Sequence, residues 1–232
     1  MAEPAPSARP ARVRTYHARR GRLSTAHHEA LETLAGRWSL APEGGPLDVV
    51  EIFGREAPLV LEIGCGMGDS TRIQAAREPG TDIVAVDVHT RGVATLLRAI
   101  DRDALTNVRV VLGDAVGLVE QRIRSRALSG VRIYFPDPWP KARHAKRRLV
   151  QGPFVALLVD RLAPGGFVHL ATDSSDYADQ MLAVVDAEPG LENPFGGFAP
   201  RMCDRPVTKY ERRARRLGHP VREVWVTRRL PA

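Results

Sequence analysis

Acidic side chains and glycines meet at the ends of three apolar runs. Glu62 precedes three glycines in the stretch VLEIGCGMGDS, namely Gly64, Gly66 and Gly68. The run DIVAVDV carries Asp87, and the run VRVVLGD ends in Asp114. A glycine turn after a strand lets backbone approach a ligand closely, and a carboxylate about 20 residues further on can accept both hydroxyls of a ribose. The pattern therefore indicates a site for a nucleoside.

The charge of this site limits the class of nucleoside. Ligands of open α/β sheets bind at the carboxyl ends of the strands, so the three acids are expected to face one crevice. An acidic crevice repels a pyrophosphate, whereas it accommodates an adenosine joined to a sulfonium cation. A dinucleotide fingerprint also needs a glycine where Asp69 stands, and Asp69 suits the N-cap of the next helix. A structural alternative stays open for Asp87 as a turn former and for Asp114 as a helix cap.

The stretch FPDPWPKARHAKRR, residues 135–148, is a second chemical feature. Asp137 and Trp139 lie among three prolines, which fix φ and lack an N–H, so the stretch predicts a stiff loop. Asp137 ends the fourth predicted strand, beside the crevice. Five cations that can hold phosphates follow directly: Lys141, Arg143, Lys146, Arg147 and Arg148. The alternatives are a structural turn with Trp139 packed on the core, and a solvated cationic face.

Repeated βαβ units are predicted to position these residues. Short β-branched runs alternate with longer amphipathic ones, and the predicted strands are PLVLEIG, DIVAVDV, VRVVLGD, VRIYFPD and GGFVHLATD. Helices are expected from Asp69 and over about residues 90–103, 115–127, 150–162 and 174–186. The apolar runs do not alternate with polar residues, which favours a central parallel sheet with helices on both faces. The run REVWVTRR predicts one more strand, at an antiparallel edge.

Length and charge indicate one domain with a polyanionic partner. The 232 residues are 44% hydrophobic, enough for one sizeable core, and we place a single domain at 26–232. Residues 1–25 are rich in Ala, Pro and Arg, which predicts a basic flexible arm. A net charge of +7 favours binding to nucleic acid or to an acidic membrane surface.

Other patterns argue against membrane, secretory and metal-binding classes. No apolar run is long enough to span a bilayer, and the N-terminal residues lack the apolar segment of a secretory signal. Cys65 and Cys203 lie in no C-x-x-C spacing, and no H-E-x-x-H occurs. We therefore expect a cytoplasmic protein with no membrane segment and no metal site.

Two levels of family resemblance emerge from these motifs. The glycine turn and the acids resemble the class I methyltransferases that use S-adenosylmethionine. More specifically, FPDPWPKARHAKRRLV, LEIGCGMGDS, LATD and RPVTKYERRARRLGH resemble motifs of the bacterial tRNA (guanine-N7-)-methyltransferases in order and spacing, and RTYHARRGRLS is similar to their basic N-terminus. The resemblance implies a Rossmann-like α/β fold, S-adenosylmethionine as cofactor, tRNA as partner, and formation of m7G46 in the variable loop.

The resemblance also implies roles for single residues. Asp137 corresponds to the active-site residue and, with Glu62, Asp87 and Asp114, to the cofactor-binding acids. Substrate contacts are implied at six positions: Lys141, Asp173, Thr208, Lys209, Tyr210 and Glu211. One departure is that family members commonly carry glutamate where Asp87 stands.

The stretch TKYE has a structural interpretation as well. Thr208 and Glu211 fit a T-x-x-E capping box, and Gly218 is placed to end the helix KYERRARRL. Capping and substrate binding are compatible, because a capped helix end holds its side chains in place. The helix would present a phosphate-binding face made of Arg212, Arg213, Arg215 and Arg216.

Three other functions stay open. Amino-methyltransferases acting on adenine or cytosine carry an Asp/Asn-Pro-Pro-aromatic loop at the same strand end, but Trp139 follows Asp137 and a single proline. A nicotinamide-dependent oxidoreductase is disfavoured by the missing glycine and the acidic crevice. A non-catalytic module would bind RNA without methyl transfer. The sequence leaves open whether the protein is a monomer or a homodimer.

Overall fold

The computed structural model describes residues 15–16, 22–202 and 204–231. Most of the predicted N-terminal arm, and Cys203, lie outside these residues.

The described residues form helices that alternate with strands over most of the chain. The strands are β1 (Ser39–Leu40), β2 (Leu59–Ile63), β3 (Asp82–Asp87), β4 (Val108–Leu112), β5 (Leu128–Tyr134), β6 (Leu162–Thr172), β7 (Leu191–Glu192) and β8 (Arg222–Arg228). The α-helices are α1 (Thr25–Thr33), α2 (Ala35–Trp38), α3 (Val49–Phe53), α4 (Asp69–Arg77), α5 (Thr90–Arg102), α6 (Ala115–Arg122), α7 (Gly152–Arg161), α8 (Ser175–Asp186) and α9 (Lys209–Arg216). A 3₁₀ helix covers Ala142–Arg147.

All the described strands belong to one sheet, in the order β1-β4-β3-β2-β5-β6-β8-β7. Strands β1 to β6 pair in parallel, and β8 runs antiparallel between β6 and β7. From β2 the chain adds β3 and then β4 on one side of the sheet, whereas β5 and then β6 are added on the other side. This arrangement makes a topological switch point at the carboxyl ends of those two strands, where open α/β sheets bind their ligands.

The parallel strands are buried on both faces, as their continuous apolar runs predict. Successive residues of β3 point to opposite faces. Val84 and Val86 join a core that also contains Leu61 and Ile133, whereas Ile83 and Ala85 pack in a second core beneath α5. The sheet is therefore the central layer of the fold.

The structure confirms the predicted α/β fold and corrects details at its edges. REVWVTRR forms the antiparallel strand β8, but β7 pairs on its outer side, so β8 is internal. Asp69 is the first residue of α4 rather than its N-cap, because Gly68 takes the cap position with a left-handed backbone. Among the described residues, no helix is long and apolar enough to cross a membrane.

Candidate active site

A cavity of about 330 Å³ opens at the carboxyl ends of the central strands. Asp87, Asp114 and Asp137 reach it from β3, β4 and β5. The same cavity is lined by Gly64 and Gly66 of the glycine turn. Other lining residues come from three separate parts of the chain: Thr15 and Tyr16; Tyr134, Phe135 and Leu149; and Lys209 and Tyr210. The structure thus brings most of the predicted acids and part of the predicted substrate motif to one place.

The glycine turn is shaped by left-handed backbone at Gly64, Gly66 and Gly68, with φ of 79°, 57° and 80°. The Gly66 N–H donates to Asp87 Oδ2 at 2.7 Å. At Gly68, a Cβ would lie 2.4 Å from Leu96 Cδ1, so this glycine permits packing against α5. Gly68 therefore supports the turn, whereas Gly64 and Gly66 face the cavity.

Gly92 is a site residue that the sequence analysis missed. It lies in α5, and a Cβ there would come 2.2 Å from the Gly66 carbonyl oxygen. The helix can approach the glycine turn only because position 92 has no side chain. A glycine inside an amphipathic helix is unfavourable without a packing reason, and that signal could have identified it.

Asp87 and Asp114 each combine a structural bond with a place in the cavity lining. The His89 N–H donates to Asp87 Oδ1 at 2.8 Å, opposite the bond from Gly66. Asp114 caps α6 by accepting from the Gly117 N–H at 3.1 Å. The turn-former and helix-cap alternatives are therefore correct, and both carboxylates still face the cavity.

Glu62 lies beneath the glycine turn and is only 3% exposed. It is absent from the described residues that line the cavity, and its Oε2 has no hydrogen-bond partner among them. Burial raises the pKa of Glu62 from its ordinary value of 4.5 to about 6; the Thr71 hydroxyl and the Arg132 charge offset only part of this effect. Glu62 can therefore affect cofactor binding only through the glycine turn that lies above it.

The loop that carries Asp137 is strained at two aromatic residues. Phe135 and Trp139 have φ of 53° and 45°, and each precedes a proline. Such left-handed positions cost on the order of 1–3 kcal/mol each, so surrounding contacts must hold them. Phe135 donates its N–H to Ala171 O at 2.7 Å. Trp139 is 3% exposed and donates its indole N–H to Thr15 O. These contacts fix the backbone on both sides of Asp137.

Arg148 is buried, and the interpretation of all five cations as phosphate contacts was wrong for this residue. Its side chain donates to Pro138 O at 2.9 Å and to Gln180 Oε1 at 2.7 Å, and it pairs with Asp176. Arg148 therefore ties the Asp137 loop to α8. The other four cations are exposed: Lys141, Arg143, Lys146 and Arg147.

The TKYE segment divides between support and cavity lining. Thr208 caps α9 by accepting from the Glu211 N–H at 3.2 Å, and Gly218, with φ of 71°, follows the helix end. The second half of the predicted capping box is missing, because the Glu211 carboxylate instead pairs with arginines. Only Lys209 and Tyr210 of this segment line the cavity.

The two remaining predicted substrate residues lie outside the cavity lining. Lys141 is exposed just before the 3₁₀ helix, and Asp173 is half-buried directly after β6. Across the described ranges, no group of three or more His, Cys, Asp or Glu side chains could hold a metal ion.

Comparison with known proteins identifies the family. Residues 56–224 match the family described as "Putative methyltransferase". The tRNA (guanine-N(7)-)-methyltransferase of Bordetella pertussis is 51% identical, covering 90% of this chain and 82% of the relative. The chain belongs to the tRNA (guanine-N(7)-)-methyltransferase family. Another member, from Nitrosospira multiformis, is 48% identical over 92% of both chains.

The solved structure of the 16S rRNA methyltransferase KamB shares the fold. It is 15% identical, with a TM-score of 0.59, and the match covers 81% of this chain and 95% of that chain. The family resemblance read from the motifs and the expected methyltransferase fold are both confirmed.

The buried carboxyl of Glu62 predicts a pH-dependent stability. Because its pKa is higher in the folded protein, stability falls as pH rises from about 4.5 through about 6. Relative to wild type, Glu62→Gln should therefore gain about 1 kcal/mol between pH 5 and pH 8, measured by urea unfolding. Glu56→Gln, at an exposed carboxylate, is the control and should show no such change. A Glu62→Gln difference that is constant with pH would contradict the prediction.

Gly92→Ala should destabilise the protein by about 1–3 kcal/mol, because the new methyl group meets backbone that cannot move aside cheaply. It should also weaken cofactor binding by shifting the glycine turn. Thermal unfolding and calorimetric titration with S-adenosylmethionine measure the two effects. Gly80→Ala is the matched control, since a Cβ at this exposed site has no heavy atom within 4 Å. Equal stability of the two variants would contradict the close approach.

Proposed function

We propose that the protein transfers a methyl group from S-adenosylmethionine to N7 of a guanine in the tRNA variable loop. The observation that carries the proposal is the position of Asp137. Its carboxylate lines the same cavity as Asp87 and Asp114 and lies in the loop that leads to the exposed cations. Relatives 47–51% identical to this chain carry the same activity in their names.

The residues present fit the cofactor. The Gly66–Gly92 approach leaves only backbone at the turn, and Asp87 and Asp114 offer carboxylate oxygens for ribose hydroxyls or an amine. With Asp137, three acids and one lysine are among the described residues that line the cavity, which favours a cationic ligand. S-adenosylmethionine, when bound, supplies a methyl group on a positively charged sulfur. In the proposed site, Glu62, Gly64, Gly66 and Gly68 support or form its binding turn.

The other side of the cavity suits a purine base. Phe135 and Tyr210 stack with ring centroids 5.9 Å apart and an angle of 23° between planes, and Tyr210 is 45% exposed. Asp137 can accept from guanine N1–H and N2–H₂, which adenine does not offer, so its carboxylate selects the base.

Asp137 also suits the charge change of the reaction. Guanine N7 carries no proton, so its methylation needs no general base. The residues of the chain therefore act by holding the base in place and excluding water. Positive charge develops on the guanine ring, and the fixed carboxylate of Asp137 stabilises that charge.

Exposed cations in two segments near the cavity suit the tRNA backbone. Lys141, Arg143, Lys146 and Arg147 lie in the loop after Asp137, and Arg212, Arg213 and Arg216 lie on α9, next to Lys209 and Tyr210. Exposed arginine and lysine side chains hold phosphates and fix the register of the RNA. With tRNA as the substrate, we propose that the protein acts in the cytoplasm. We also propose that Lys141 and Asp173 contact the tRNA directly.

Incubation with methyl-labelled S-adenosylmethionine and unmodified tRNA, followed by nucleoside analysis, tests the function. Label should appear in 7-methylguanosine and disappear when the variable-loop guanine is replaced. Label in a methylated adenosine or cytidine would favour an amino-methyltransferase. Absence of label despite tRNA binding would favour a non-catalytic RNA-binding module.

Asp137→Asn keeps the shape of the side chain and removes its charge. We expect kcat to fall by about 10²–10³-fold, the usual effect of losing one electrostatic stabiliser, while tRNA affinity stays close to that of wild type. Single-turnover methylation and filter binding measure the two quantities. A variant with wild-type turnover would exclude the proposed role of Asp137.

Replacing Arg143 and Lys146 by Ala should weaken tRNA binding and make it less sensitive to salt. The slope of log K against log salt should drop by about 0.7–0.9 per lost phosphate contact. Arg124 and Arg126 are exposed beyond the C-terminus of α6, at the opposite end of the sheet, and their double Ala variant is the charge-matched control. Equal slopes for the two double variants would show that Arg143 and Lys146 are only hydrated surface cations and make no phosphate contact.

A further inference from the structure

Arg205 is the largest fully buried side chain among the described residues. Its Nη2 lies 2.8 Å from Glu211 Oε2 and 2.8 Å from Glu223 Oε1. A buried guanidinium is costly unless charged partners surround it, so the three groups must come together as the protein folds. Glu211 lies in the first turn of α9 and Glu223 on β8. The two ion pairs therefore fasten α9 to the sheet.

Both carboxylates are held in the ionised form. Burial alone would raise the pKa of Glu211, but Arg201 and Arg205 outweigh it and hold that pKa below its ordinary value. Burial likewise opposes ionisation of Glu223, but the hydrogen bond from His169 and the positive charge of Arg205 lower its pKa overall. The ion pairs of Arg205 are thus present at neutral pH.

Arg205 also contacts the aromatic side of the cavity. Its Cζ lies 5.7 Å from the Tyr134 ring centroid and 5.8 Å from that of Phe135. Phe135 in turn stacks on Tyr210. We call Tyr134, Phe135 and Tyr210 the aromatic wall, because all three line the cavity. Arg205 lies behind this wall and is not among its lining residues.

A second connection runs from Glu223 to the same wall. Glu223 Oε2 lies 2.7 Å from His169 Nε2, and His169 Nδ1 lies 2.9 Å from the Tyr134 hydroxyl. Tyr134 is therefore held both at its ring face by Arg205 and at its hydroxyl by His169. The network joins residues from β5, β6, β8 and α9 behind one side of the cavity.

We propose that Arg205 is a positioning residue for the target base: it holds the aromatic wall in place beside Asp137. This inference rests on the proposed function. The wall comes from the β5 and α9 side of the cavity, whereas Asp87 and Asp114 come from the β3 and β4 side. Loss of Arg205 should therefore impair use of tRNA far more than binding of S-adenosylmethionine.

Arg205→Lys and Glu223→Gln test the proposal in two independent ways. A lysine keeps the charge but cannot join two carboxylates and two rings with one planar group, and Glu223→Gln removes one charged partner. In each variant kcat/KM for tRNA should fall by about 100-fold, the effect of a small misplacement in a catalytic site. The S-adenosylmethionine Kd, measured by calorimetry, should stay within about threefold of wild type.

Arg161→Lys is the matched control for loss of stability. Arg161 is the last residue of α7, at the end of the sheet opposite the cavity, and it donates to backbone oxygens of α6. This variant should lower the melting temperature and leave kcat/KM for tRNA unchanged.

Three results would overturn the role of Arg205. The first is a less stable Arg205→Lys or Glu223→Gln with wild-type kcat/KM for tRNA. The second is an equal loss of tRNA and S-adenosylmethionine affinity, which indicates general collapse of the site. The third is a wild-type protein that does not methylate tRNA, which overturns the proposed function as well. Wild-type activity in the same assay therefore separates failure of this inference from failure of the function.

Discussion

Backbone N–H groups hold Asp87 and Asp114, two of the acids that line the cavity, and the rest of the site depends on those bonds. Gly66 and His89 donate to the two oxygens of Asp87, and Gly117 donates to Asp114. Bonds to an ionised acceptor are shorter and stronger than neutral ones. They offset part of the repulsion between acids that share one cavity, and they orient the carboxylates before a ligand arrives. Because α5 can approach the turn at Gly66 only with a glycine at position 92, the glycines and the acids act as one unit.

On the opposite side of the cavity, two buried arginines add to the backbone bond between Phe135 and Ala171. Arg148 donates to the carbonyl of Pro138, and Arg205 lies against the ring of Phe135. Each guanidinium is nearly inaccessible to water; Arg148 pairs with one carboxylate from another element and Arg205 pairs with two. The strained backbone at Phe135 and Trp139 thus persists because distant residues hold it, and Asp137 lies between the two strained positions.

Features that depend on local pattern could be predicted from the sequence, whereas tertiary partners could not. Strands buried on both faces leave continuous apolar runs, and the glycine turn has its own spacing. The central sheet and all three acids among the described lining residues were therefore predicted. Arg148 is indistinguishable by type from the exposed cations beside it, and only the position of α8 decides its burial. Glu62 was predicted to face the crevice. Because successive strand residues alternate between faces, its side chain instead points to the face of the sheet opposite to that of Leu61 and Ile63. The strands β1 and β7 have two residues each, too few to show a period.

The position of β8 inside the sheet has a consequence for synthesis of the chain. β8 follows every other described strand in sequence, yet it pairs with β6 on one side and β7 on the other. While the ribosome adds the preceding residues, β6 presents an unpaired edge of backbone N–H and C=O groups, which invites pairing with other nascent chains. Glu223 lies on β8, so Arg205 lacks its second carboxylate partner until β8 has been synthesised. The strands that lead to Asp87 and Asp114 precede β8 and can pair before β8 is synthesised. The side of the cavity proposed to contact RNA is completed only when β8 joins the sheet.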